Sequence, residues 1–210
     1  MQGVGDFRFF NFYPRGMKAR YARKSAPRTI MSKKERRHAN FTKPRKHIFK
    51  RSEYKRTQQV KVFGLTTSNG KLLICRAPKN PDANDWIRLV GKRVGPFMRE
   101  AFPGRERMTI LLDGESIFHT PEAKAAMRKW GLFAMPDWPA SSPDLNPQEN
   151  VWGWAEPKLR RDEARADTIN HFKRRVVKVC YQYPGAAKLV GSLEKRIALC
   201  LKLKGANIGK

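Results

Sequence analysis

The stretch RMTILLDG, residues 107–114, places five apolar or β-branched residues in a row and ends on an aspartate. A run this short and unbroken reads as a central strand buried on both faces, because a strand with one wet face alternates. A carboxylate at the end of such a strand is costly unless it is paired or bound to a metal. Asp113 is therefore the first residue for which the chain must provide a reason. The elements around it define a sheet. VGDFRFFNFY (4–13) reads as a strand, and VKVFGLTT (60–67) and KLLICRA (71–77) flank Ser68-Asn69-Gly70, a hairpin signal. Residues 82–102 carry Trp86, Leu89, Val90, Val94, Phe97 and Ala101 at helical spacing, with a break expected at Gly95-Pro96. A helix over 119–131 opens with Thr120 as N-cap and Pro121 in its first turn, and closes on Gly131. LFAMPDW (132–138) is a short strand, and 168–183 and 192–204 are helices with one apolar and one basic stripe. Residues 14–56 are basic, without aliphatic periodicity, and read as loop or irregular hairpin. This order predicts an α/β fold, a mixed sheet flanked by helices.

Charge narrows the partners. The 210 residues carry 45 Lys and Arg against 18 Asp and Glu, a net +27. The excess is uneven: +15 before residue 61, +2 over 61–157 and +10 after 157. Two basic flanks around a nearly neutral centre point to a polyanion, and nucleic acid first. Cys75, Cys180 and Cys200 have neither zinc-like nor disulfide-like spacing. No apolar run approaches the ~20 residues of a membrane span, so a nuclear or cytosolic protein with no membrane partner is expected.

The second unusual stretch is WPASSPDLNPQENVW, 138–152. Asn146-Pro147-Gln148-Glu149 looks like a helix start, with Asn146 as N-cap and Glu149 at the third position. One reading has Glu149 cap its own helix. The other has it serve chemistry, since two prolines and two Asx-turn formers before it give more stiffness than a cap requires. Pro157 should end or kink the helix that follows. His119 reads as a local helix-start or packing residue, and Trp152 and Trp154 as packing residues.

Together, LLDGESIFHTPEAKAAMRKWGLFAMPDWPASSPDLNPQENVW (111–152) resembles the catalytic domain of mariner-superfamily DDE transposases. The resemblance rests on Asp113, His119-Thr120, Trp138-Pro139, Ser142 through Pro147, Glu149-Asn150 and Trp152-Gly153, with 35 residues between the two acids. It extends from about residue 4 to 165, with basic helices at 166–210 packed on or appended to that catalytic region.

The resemblance implies a ribonuclease-H-like fold and three carboxylates that hold two Mg²⁺ (or Mn²⁺) ions ~4 Å apart for DNA cleavage and strand transfer. The third carboxylate falls to Asp6, although Phe7 stands where the family usually has Glu, and Asp6 also reads as an exposed acid near a frayed terminus. Asp6 and Asp113 are then expected on neighbouring strands facing Glu149, with at least one carboxyl shifted upward in the metal-free protein. Lys33, Lys34, Arg36, Arg37, Arg45 and Lys46 are the expected DNA contacts, and double-stranded DNA and a second copy in a homodimer are the expected partners. Family members carry an N-terminal helix-turn-helix region for which five residues before Asp6 leave no room, so the readings left open are a truncated or degenerate copy, a fragment from a mispredicted start, and a product whose specificity domain is lost. A non-catalytic DNA-binding remnant and, lower, a basic RNA-binding protein stay open as alternatives.

Overall fold

The structure, a computed structural model, describes residues 1–12, 58–136, 138, 142–160, 168–205 and 208. Its elements in chain order are β1 (Gly3–Asn11), β2 (Gln59–Thr67), β3 (Leu72–Ala77), α1 (Ala83–Leu89), α2 (Gly95–Ala101), β4 (Met108–Leu112), α3 (Pro121–Arg128), β5 (Leu132–Ala134), α4 (Gln148–Arg160), α5 (Ile169–Tyr181), α6 (Ala186–Leu189) and α7 (Ser192–Lys202). The strands form one mixed sheet in the order β3-β2-β1-β4-β5. β2 runs antiparallel to its neighbours β1 and β3, while β4 pairs parallel with β1 and β5 parallel with β4. Among the described residues no helix is long and apolar enough to cross a membrane.

The unbroken apolar run is the reason β4 sits inside the sheet, with Ile110 and Leu111 fully buried. Alternation on β1 sends its side chains to two different cores. Phe7 joins Phe63, Trp86 and Phe118 on the α1–α3 face, where Phe7 and Phe118 stack with centroids 5.4 Å apart. Phe10 joins Trp152, Phe172 and Val176 on the α4–α5 face. Asp6 shares that second face. It pairs across to Gly64 on β2, where a Cβ would collide with the Trp152 indole and the Gln148 amide. That missing side chain lets α4 lie close against the sheet.

Of three local sequence expectations, the hairpin holds and two change. The β2–β3 hairpin turns through Gly70 at a positive φ (84°), and Asn69 donates from Nδ2 to Ala101 O at 2.7 Å, tying the turn to α2. The helix break expected at Gly95-Pro96 is a π-helical turn over Val90–Val94, in which Gly95 N–H donates to Val90 O. Pro96, without an N–H, then stands in the first turn of α2, where no donor is needed. Pro157 does not end α4, which runs on to Arg160. The carbonyl its missing N–H would have served belongs to Gly153, which lies on the exposed face and is open to solvent.

Candidate active site

One end of the sheet gathers carboxylates. Gly5 of β1 pairs with Leu112 of β4, a register that sets Asp6 beside Asp113, the residue after the strand. Glu149 stands in the first turn of α4, which packs on β1 and β2 from Asp6's face. The helix begins as its sequence suggests: Asn146 Oδ1 accepts from Gln148 N–H at 3.0 Å. Gln148 is fully buried, and its Oε1 accepts from Thr66 Oγ1–H at 2.7 Å, bolting the helix start to β2.

Asp6 is 5% exposed, which removes the reading of an acid at a frayed end. Its Oδ2 accepts from the Trp152 indole Nε1–H at 3.3 Å. Burial pushes its carboxyl from 3.8 up to about 7, and the negative charges of Glu149 and Asp113 add to the rise, against the Trp152 and Phe7 N–H donors. The upward shift expected of at least one carboxyl falls here, and desolvation is its largest cause. Asp113 is half-buried, with Oδ1 accepting from Gly114 N–H at 2.6 Å. Behind it, His119 Nε2 lies 3.2 Å from Asp113 O. A carbonyl only accepts, so this bond needs the tautomer with the proton on Nε2. His119 is thus a local brace on the Asp113 backbone, through its ring rather than as a free ligand.

Cations balance the acids. Arg8 Nη1 lies 3.4 Å from Glu149 Oε1, and its Nη2 lies 3.4 Å from Glu156 Oε2, two turns along α4. Lys61, 7% exposed, lies with Nζ 3.4 Å from Glu115 Oε1 and 4.6 Å above the Phe7 ring. As these side chains lie, no group of three or more His, Cys, Asp or Glu among the described residues is close enough together to hold a metal ion. Glu149 is drawn to Arg8 and Asp6 to Trp152. The structure therefore brings Asp6, Asp113 and Glu149 to one end of the sheet without closing them into a cage. Lys33, Lys34, Arg36, Arg37, Arg45 and Lys46 lie outside the described residues.

Sequence reasoning missed several partners of this site. Arg8 had a signal, since two residues beyond Asp6 on a strand is the same face. Arg196 had none. From α7 it donates through Nη1 to Asp144 O (2.7 Å), through Nη2 to Asn150 Oδ1 (3.0 Å) and through Nε to Ser192 Oγ (3.1 Å). Ile208 N–H adds a bond to Asp144 Oδ2 at 3.0 Å. The proline-stiffened loop before Glu149 is thus also clasped from the C-terminal segment.

Comparison with known proteins fits this geometry. Residues 28–173 match the family model described as DDE superfamily endonuclease. The Tc3 transposase of Caenorhabditis elegans is 25% identical over 148 residues, which are 70% of this chain and 44% of that protein. The catalytic domain of Mos1 mariner transposase superposes over 99% of this chain and 83% of its own with a TM-score of 0.59 at 13% identity. Mos1 in a paired end complex with Mn covers 99% of this chain and 56% of its own, with a TM-score of 0.66 at 13% identity. The fold is therefore that of the Mos1 catalytic domain, ribonuclease-H-like. The chain spans less than half the length of the Tc3 transposase it matches.

Proposed function

Because the chain belongs to the DDE superfamily endonuclease family, we propose that it cleaves DNA and transfers DNA strands with divalent metal, through Asp6, Asp113 and Glu149. The observation that carries this reading is the Asp6 carboxyl, buried in a strongly basic chain and pushed up to about 7 by burial and by two neighbouring acids. Arg8 pairs with Glu149, whereas the buried Asp6 meets N–H donors and two like charges, which a bound cation would answer. The donor set is all hard oxygen, which fits Mg²⁺ or Mn²⁺. Bound there by the three acids, such ions would polarise a phosphodiester oxygen and lower the pKa of an attacking water or 3′-hydroxyl.

The chain's own residues supply placement. Asp113 is fixed by its strand, by Gly114 N–H and by His119 behind its carbonyl. Glu149 rides on a helix bolted to β2 through Gln148 and Thr66, and Arg8 shares its charge between Glu149 and Glu156. The proposed substrate is duplex DNA at transposon ends, by analogy with the paired end complexes of Mos1.

One observation favours a second reading, a DNA-binding remnant without turnover: the described residues hold no ready metal cage. Nicking of supercoiled plasmid in Mg²⁺ or Mn²⁺ separates the two. The proposal expects nicking by the parent chain and none by Asp113→Ala. Equal plasmid integrity with both proteins would favour the remnant.

A further inference from the structure

The stretch 61–157 is almost neutral by count, yet the fold sorts its charges. A groove of about 690 Å³ runs along β3, the edge strand, between the α1–α2 π-turn and α5. Five cations line it, Lys61, Arg76, Lys79, Arg93 and Lys173, and among the described lining residues there is no carboxylate. Arg76, Lys79 and Arg93 are exposed, and Arg93 stands on the π-helical turn. Four of the five come from the near-neutral middle of the chain, so the charge count along the sequence hides them.

The chemistry of an edge strand admits two kinds of occupant. One is an extended peptide that adds a strand, and the other is a polyanion that answers the cations. The first is obstructed. Tyr181 of α5 places its hydroxyl on the outward side of Ile74, accepting from Ile74 N–H at 3.1 Å and donating to Ile74 O at 3.5 Å. The central outward donor and acceptor of β3 are thereby occupied. The second is favoured by five cations converging on one concave surface. The groove also joins the carboxylate end of the sheet. Lys61 lines it and pairs with Glu115, two residues past Asp113. Strand spacing of ~4.8 Å sets β3 about 10 Å from β1 and its Asp6.

We propose that this groove is a second contact for duplex DNA, gripping backbone phosphates beside the carboxylate centre and without need of its metal. Only the choice of DNA as the polyanion rests on the endonuclease reading. Arg76, Lys79 and Arg93 are the gripping residues, and Lys61 is the seam between groove and carboxylates.

The test is anisotropy of a fluorescein-labelled duplex of arbitrary sequence, titrated with the full chain in EDTA over a range of salt. Three proteins are compared: the parent, R76E/K79E/R93E, and K188E/K195E/K202E, which changes the net charge equally on α6 and α7. The groove variant is expected to bind roughly 30-fold more weakly, with a salt slope shallower by about 2 to 3, as ~0.9 is lost per phosphate released. The control variant is expected to stay within about threefold of the parent. Equal losses in both variants, or no binding by the parent, would overturn the proposal. So would a polyglutamate peptide that displaces the duplex at equal charge concentration. Circular dichroism melts of all three proteins identify a variant that fails to fold. Lys79→Gln alone, at an exposed position, must then lower the slope by about 1, and an unchanged slope overturns the proposal. Because metal is absent, a failure here leaves the nicking result to judge the endonuclease reading separately.

Discussion

Two regions at the same end of the sheet carry opposite charge and are built differently. The carboxylate end sets its acids on a strand, after a strand and on a helix start, each fixed by backbone or buried side-chain bonds. The edge groove places exposed cations at the end of β3 and on a π-turn, with a half-buried one on α5, rimming a concavity. The first arrangement gathers negative charge at a point around the buried Asp6, and the second spreads positive charge along a line. A point where acids converge suits a metal, and a line of wet cations suits a phosphate chain. Linear charge counting averages these into the +2 of residues 61–157.

The sharpest break of that contrast is a double dissociation. Asp113→Asn should abolish nicking, a loss beyond the ~100-fold that removal of an outer partner of a metal ligand costs. It should leave duplex binding in EDTA unchanged, as anisotropy would report. Loss of binding together with nicking would show that the two regions are one.

Next in size is the pH response of the metal-free fold. Asp6 is raised from 3.8 to about 7, so the folded state holds its proton more tightly than the unfolded chain. Stability from this group is fully present below about pH 4, declines as pH rises, and levels off above about pH 7. The span of about three pH units corresponds to a penalty on the order of 4 kcal/mol. Asp6→Asn keeps an acceptor for Trp152 and removes the charge. It should raise stability at pH 8 by up to that amount and leave it unchanged near pH 4, measured by urea unfolding. A variant no more stable than the parent at pH 8 would mean that the site is already compensated.

Gly64→Ala probes the close approach that brings α4 to the sheet. Its methyl would meet the Trp152 ring and the Gln148 amide, and overpacking of this kind costs about 1–3 kcal/mol. Urea unfolding reads the loss, and a neutral result would show that α4 shifts freely. The smallest effect is expected at Arg196→Lys, which keeps the charge and loses the three-way fork to Asp144, Asn150 and Ser192. Loss of about 1 kcal/mol is expected, with faster amide exchange around Asn146 to Asn150. Unchanged exchange there would show that the prolines alone hold the loop.

Much of this architecture was legible beforehand. RMTILLDG announced a buried strand because burial on both faces removes alternation, and Asn146-Pro147 announced the start of α4 because its cap is local. Asp113 and Glu149 stood out through motif spacing. The pairings that complete the site were not legible. Arg8 meets Glu149 across 141 residues, Trp152 meets Asp6 across 146, and Arg196 meets Asn150 across 46. Such contacts are made by the sheet register and helix docking; strand alternation puts Arg8 on the face of Asp6, but no local pattern names its partner. The continuation of α4 through Pro157 was likewise hidden, since it depends on which face of the helix meets water.

The central claim is that Asp6, Asp113 and Glu149 together form a metal centre. Calorimetric titration of the metal-free chain with Mn²⁺ tests it most directly. The account predicts saturable binding of two ions per chain that is lost or severely weakened in Asp6→Asn, Asp113→Asn and Glu149→Gln alike. Mn²⁺ binding that survives in all three variants, or that the parent does not show, would contradict it.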